Sequence, residues 1–344
     1  MRKSLFRFEI GRMTLLVLGM ALEVNPALAQ DANAAGRPSL SLPIACEPKK
    51  TCFIQSYVDT DPGAAVRDYA CGSATQDEHT GTDFRVLSIA AAGKDVLAAA
   101  DGTVKALRDG MADALVADGD QERLKARECG NGVLIDHGQG WETQYCHLRR
   151  GSVSVKAGEK VLRGQRLGNV GYSGLAQFAH VHFEVRHNRE IIDPFSGRSR
   201  NGACERDLHH AGGLWDAQAV GVFPYVNGEI IASFFTPSAP TLGSLERNDI
   251  GEIPLRTSKQ LIYVVRFTNL RQGDRAHLVV SGPDGFEIES TTEPLDRNKA
   301  TYMAFAGKRL TKPLWAVGNY KGHAQLLRGK AVAAEARTEL QLGE

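Results

Sequence analysis

The sequence predicts an all-β protein, with an antiparallel β-sheet domain over residues 46–200 and an immunoglobulin-like β-sandwich over 219–344. Three observations carry that expectation. Short β-type runs recur from about residue 46, glycine-bearing turns separate them, and a second series begins beyond a polar, glycine-rich stretch. At 344 residues, with 42% hydrophobic and 24% charged side chains, the chain is an ordinary globular sequence long enough for two cores.

In the first series the runs are DVLAAA (95–100), GTVKAL (102–107), NGVLID (131–136), ETQYCHL (142–148), KVLRGQRLGNVG (160–171) and HVHFEVR (180–186). Asp101-Gly102, Ala157-Gly158, Arg163-Gly164 and Asp193-Pro194 supply the turns. NGVLID and ETQYCHL read as a hairpin through His137-Gly138-Gln139-Gly140-Trp141, which brings Cys129 and Cys146 within disulfide reach. Residues 108–128 alternate charge and alanine and read as a surface insertion with some helix; residues 201–218 read as a linker. The second series is EIIASFF (229–235), QLIYVVRF (260–267), AHLVVSG (276–282), FEIES (286–290), ATYMAFAG (300–307), YKGHAQLL (320–327) and AVAAEARTEL (331–340). Its short, regular spacing is what suggests the sandwich.

The amino terminus differs from both. Arg2, Lys3, Arg7 and Arg12 precede the apolar run Met13–Leu22, and Ala27-Leu28-Ala29 follows, the parts of a cleaved signal peptide over 1–29. That run is shorter than the roughly 20 residues a membrane helix needs, and no later run is longer. Residues 30–45, small, polar and proline-containing, read as a disordered leader. Loss of the signal segment turns a formal net charge of +1 into −1. No basic patch suggests a nucleic-acid partner. The even number of cysteines, 6, suits disulfides in an exported chain, and none has the C-x-x-C spacing of a cysteine-ligated zinc.

Three histidine clusters carry the chemistry. In Glu78-His79-Thr80-Gly81-Thr82-Asp83, a histidine and a carboxylate four apart can reach one metal, with Gly81 allowing a tight bend. In His180-Val181-His182-Phe183-Glu184, a strand puts His180, His182 and Glu184 on one face and turns Val181, Phe183 and Val185 toward a core. His147, in Tyr145-Cys146-His147-Leu148, ends the hairpin strand, where an antiparallel sheet can set it opposite the H-x-H pair. A catalytic zinc takes three protein ligands and keeps one position open. His79, Asp83 and one histidine of the pair supply the ligands; the other and His147 remain as acid–base groups. A glycosidase would need two flanking carboxylates, and Asp83 is better used on a metal. Ser173 lacks the spacing of a nucleophile elbow. His137, His209-His210, His277 and His323 read as incidental, and Glu184 as support for a histidine or a solvated strand residue.

The order H-x-G-x-D, Y-x-H-L, Gly171-Tyr172-Ser173-Gly174 and H-V-H-F-E resembles the lysostaphin-type (LytM-type) zinc metallopeptidases, over about residues 70–195. ADGTV (100–104), GNGVLIDHG (130–138) and the run from Val155 to Gly171 fit the same resemblance. It implies a small antiparallel β fold that cuts peptide cross-links or stem peptides of peptidoglycan. It also implies one Zn2+ per chain on His79, Asp83 and His182, with His147 and His180 as catalytic groups whose roles stay interchangeable. Asn131, Tyr172 and Ser173 are candidate substrate contacts. Members of the family that have lost ligands act as activators of other wall enzymes, so a metal-binding adaptor is the alternative reading. The near-neutral charge and the lack of a wall-anchoring repeat point to the periplasm. The C-terminal domain, for which no family match stands out, leaves room for a protein partner.

Overall fold

A computed structural model describes residues 36–116, 122–202, 204, 213–225 and 227–343. The expected signal peptide (1–29), the start of the leader and His209-His210 lie outside the described residues. Ten strands come first: β1 (Phe53–Ser56), β2 (Thr82–Arg85), β3 (Asp95–Leu97), β4 (Gly102–Arg108), β5 (Asn131–Gly138), β6 (Trp141–Leu148), β7 (Lys160–Val161), β8 (Arg166–Asn169), β9 (His180–His187) and β10 (Glu190–Ile192). Eight of them form one sheet in the order β1-β2-β9-β6-β5-β4-β7 with β10 on β9, while β3 and β8 pair separately. The β5–β6 hairpin turns on Gln139 (φ 50°) and Gly140 (φ 81°). Two central residues at positive φ suit the right-handed twist of the flanking strands, and glycine takes the second at no steric cost.

One face of this sheet is apolar. Val181, Phe183 and Val185 of β9 join Phe84 and Tyr145 in a core closed by Leu40, Ile44, Val96, Leu214, Trp215 and Phe223. Two expectations need correction here. Residues 38–45 of the expected disordered leader are ordered: Leu40 N–H donates to Leu214 O at 2.7 Å, and Leu40 and Ile44 are buried. The apolar alternation in SLSLPI drives this, and its serines and prolines hide it. The expected linker likewise contributes Leu214 and Trp215 to the same core, which extends beyond residue 218 to Phe223 through the short helix α1 (Ala217–Val222). Among the described residues of the insertion, a 3₁₀ turn spans Glu122–Leu124. The start of the insertion runs extended, with Asp113 bridged to Ser173.

The remaining strands are β11 (Glu229–Thr236), β12 (Gln260–Leu270), β13 (Arg275–Gly282), β14 (Phe286–Thr291), β15 (Lys299–Arg309), β16 (Gly318–Arg328) and β17 (Ala331–Leu342), with helix α2 (Leu242–Glu246) after β11. They form a three-stranded sheet, β11-β12-β15, and a four-stranded sheet, β14-β13-β16-β17. Between them lies a second core that includes Tyr263, Val265 and Phe267 of β12 with Leu278, Val280, Ala324 and Leu326. The fourth strand, β14, pairs with the third, whereas a constant-type immunoglobulin domain groups its fourth strand with the first, second and fifth.

The two cores meet along β1 and β2. Arg85, 0% exposed, donates through Nη2 to both oxygens of Glu246 at 2.9 and 2.8 Å, and Arg266 donates to the same carboxylate at 2.7 Å. Gln55 Nε2 donates to Ala300 O at 2.6 Å, and Arg266 Nη1 to Leu87 O at 2.6 Å. Three disulfides pair all the cysteines: Cys46–Cys52, Cys71–Cys204 and Cys129–Cys146, the last as the hairpin predicts. No described helix is long and apolar enough to cross a membrane.

Candidate metal centre

Strand register assembles the site on the face of the sheet opposite the core. Asp83 on β2 pairs with His182 on β9, and His182 pairs with Cys146 on β6, so β2, β9 and β6 bring the three clusters side by side. His79 arrives from the turn before β2. Gly81 serves that turn by close approach: a Cβ there would lie 2.6 Å from His182 Nε2 and 2.6 Å from Phe183 O. His147 sits in a register shift between β5 and β6 at φ 63°, a left-handed conformation that costs a histidine energy. Its N–H donates to Cys129 O at 2.8 Å, so the Cys129–Cys146 bridge and this bond pin the same bulge.

The ligand atoms of His79, Asp83 and His182 all lie within 4.8 Å of one another. His79 Nε2 is 3.1 Å from Asp83 Oδ2, and His182 Nδ1 is 2.9 Å from Asp83 Oδ1. Ligands of one tetrahedral zinc sit about 3.3 Å apart, so this donor set fits such an ion after small adjustments. Two imidazoles and one carboxylate also leave a fourth position open. His180 Nε2 stands 3.5 Å from Asp83 Oδ1, and the His147 and His180 rings are 4.5 Å apart.

Hydrogen bonds to carbonyls set the tautomers. A carbonyl only accepts, so Nδ1 carries the proton in His79 (to Tyr57 O, 2.7 Å), in His147 (to Ser173 O, 2.8 Å) and in His180 (to Phe178 O, 2.9 Å). Each is thereby held by Nδ1 with Nε2 turned into the site, the arrangement that orients metal ligands and general bases alike. Burial pushes Asp83 upward, yet His79 and His180 outweigh it and hold its carboxyl well below the usual carboxylate range. Burial also opposes charge on His79, but the Asp83 carboxylate lifts it above the ordinary imidazole value. Burial, reinforced by His180 and His182, holds His147 well below that value, and burial lowers His180 as well. Both are therefore neutral near pH 7.

Not every candidate joins the site. Asn131 and Ser173 are fully buried and spent on the chain itself, which corrects the expectation of substrate contact. Asn131 Nδ2 donates to Met111 O and Leu148 O, while Ser173 Oγ donates to Leu148 O and accepts from Asn131 N–H. Tyr172 is half-buried, packs against the first core and donates its N–H to Asp113 Oδ1 at 3.1 Å. Glu184 is buried rather than solvated, paired with Arg186, and its charge helps raise His79. The carbonyls of Tyr57, Ser173 and Phe178 were not foreseeable as site groups, because any residue type supplies one.

A His–Asp–His donor set flanked by two neutral histidines on an antiparallel sheet can hold a metal ion beside two acid–base groups. Comparison with known proteins agrees: residues 77–194 are a peptidase family M23 domain. The chain is 32% identical over 118 residues to an uncharacterized metalloprotease of Haemophilus influenzae, covering 34% of this chain and 20% of the relative. It is 45% identical over 56 residues to the peptidoglycan DD-endopeptidase ShyA of Vibrio cholerae, covering 16% of this chain and 13% of the relative. The chain thus spans a fifth or less of the length of these two relatives. Among solved structures it is similar to a zinc containing peptidase from Vibrio cholerae, 24% identical at a TM-score of 0.30, covering 49% of this chain and 40% of that chain.

Proposed function

We propose that this protein is an exported zinc endopeptidase that hydrolyses peptide cross-links or stem peptides of bacterial peptidoglycan in the periplasm. The observation that carries the reading is the division of labour among five side chains. His79, Asp83 and His182 converge on one point, while His147 and His180 stand beside it, each held through Nδ1 by a carbonyl. Held by the first three, one zinc per chain supplies Lewis-acid polarisation of a carbonyl and acidification of water. Asp83, held ionised, offsets the positive charge gathered there. His147 and His180 then move the proton: one Nε2 accepts it from the attacking water and an imidazole delivers it to the leaving amine. No covalent intermediate is needed. Peptidoglycan as substrate is supported by the name of the Vibrio cholerae relative, and export by the signal-like segment over 1–29.

An adaptor that keeps the centre without cleaving is disfavoured, because the full donor set and both acid–base histidines are retained. The test is release of new amino termini from purified peptidoglycan by the zinc-loaded protein and by a His182→Ala variant. Release by the wild type alone supports the proposal. Equal release by both, or none by either, removes it.

A further inference from the structure

We propose that the C-terminal β-sandwich is a positioning element of the metal centre: Glu246, with Arg266, fixes Arg85, which through the ring of Phe178 holds the His180 imidazole in place. The kinetic part of this inference rests on the peptidase reading above; its structural part does not.

The link begins on the site face of the sheet. Arg85 on β2 is the direct cross-strand partner of His180 on β9, one pleat along from the Asp83–His182 pair. Such partners are side-chain neighbours. Arg85 has no exposed surface, so every guanidinium donor must find a partner inside the protein. Nε donates to Val86 O at 3.3 Å, Nη1 to Gln55 Oε1 at 2.8 Å, and Nη2 to both Glu246 oxygens. This planar fork sets the guanidinium against the Phe178 ring, 4.8 Å from its centroid. Phe178 in turn holds His180 at two points. Its ring lies 4.4 Å from the imidazole, and its carbonyl accepts the Nδ1–H at 2.9 Å.

Glu246 closes the chain from the other domain. It ends α2, whose first turn is fixed by a reciprocal Thr241–Ser244 capping pair, and it also binds Arg266 of β12. Two buried guanidiniums share one carboxylate, so loss of Glu246 leaves both without a counter-charge. Arg85 must then turn toward water and abandon Phe178. An imidazole that has lost its aromatic neighbour keeps its carbonyl bond but not its orientation, and proton transfer is sensitive to such misplacement.

The experiment uses the full-length, oxidised, zinc-loaded protein and three variants: Glu246→Gln, Phe178→Ala and the conservative Phe178→Tyr. The first readout is the rate at which diethyl pyrocarbonate modifies His180, measured by peptide mass spectrometry against His187 at the far end of β9. The second is the separation of kcat from KM for amino-terminus release, with zinc per chain measured alongside. In Glu246→Gln and Phe178→Ala, His180 should react about tenfold faster as its surroundings open. In the same variants kcat should fall roughly ten- to a hundredfold with KM and zinc content unchanged. Phe178→Tyr should restore both. If Glu246→Gln does not fold, Phe178→Ala, which leaves the ion cluster intact, decides. Wild-type modification of His180 in a folded variant overturns the proposal, as does a loss of activity that follows zinc content alone. If the wild type releases no amino termini, the peptidase reading falls by itself and the His180 rates still decide this inference.

Discussion

Two strands, one from each β region, use their faces in opposite ways. In β13 of the sandwich, Ala276, Leu278 and Val280 point into the core, and His277, Val279 and Ser281 between them face outward. In β9 of the first sheet, Val181, Phe183 and Val185 fill the core, yet His180 and Glu184 on the other face are buried too. A strand buried on both sides with polar groups on one must satisfy each of them individually, because water is not there to do it. The difference teaches where chemistry and stability separate. In β13 the residues between the core positions face outward; in β9 the residues between the core positions carry the candidate centre.

The strongest way to break that comparison is at the ligands. His182→Ala should reduce release of amino termini at least about a thousandfold while the calorimetric Tm of the zinc-free protein stays close to wild type. A collapse in Tm would show that the site face is structural after all. Phe267→Ala, in the middle of the sandwich core, should do the reverse. It should cost about 3–5 kcal/mol in urea unfolding and leave kcat of the folded fraction nearly unchanged.

Removing the Cys129–Cys146 bridge as a double serine variant should cost about 3 kcal/mol, seen as a lower urea midpoint, and kcat should also fall because the His147 bulge is freed. A change in stability alone would detach the bridge from the site. Asp193 gives a pH-dependent effect with a definite sign. Burial raises its carboxyl from 3.8 to about 7, so between those values the folded state holds a proton that the unfolded state releases. Its contribution to stability is therefore complete below pH 3.8 and is lost as pH rises toward 7, at about 1.4 kcal/mol per pH unit. Asp193→Asn should flatten that slope in unfolding titrations from pH 4 to pH 8 and should be the more stable protein at the alkaline end. Last, Glu335→Gln removes an exposed pair with His323 on the outer face of β16 and β17 and should leave Tm unchanged.

Legibility in the sequence follows the same division. Each apolar run read in the second half falls within one strand, since β-branched and aromatic runs bounded by turn residues announce strands directly. The ligand set was legible for a different reason: H-x-H on a strand and H-x-G-x-D before one are local, and their spacing constrains geometry. What stayed hidden is long-range or anonymous. Arg85 and Glu246 are 161 residues apart, and nothing near either marks the other. Leu40 and Trp215 each look like stray apolar residues in polar surroundings until the fold brings them together. Asn131 and Ser173 misled because residues suited to grip a substrate are equally suited to tie down a turn.

The Cys71–Cys204 bond spans 133 positions and encloses every strand from β2 to β10. The centre thus lies on a covalent ring, with the Cys129–Cys146 bond as a chord across it. A single cut by another protease inside that ring opens it without releasing a fragment. Both new ends stay tethered, and the damage becomes visible on a gel only after reduction.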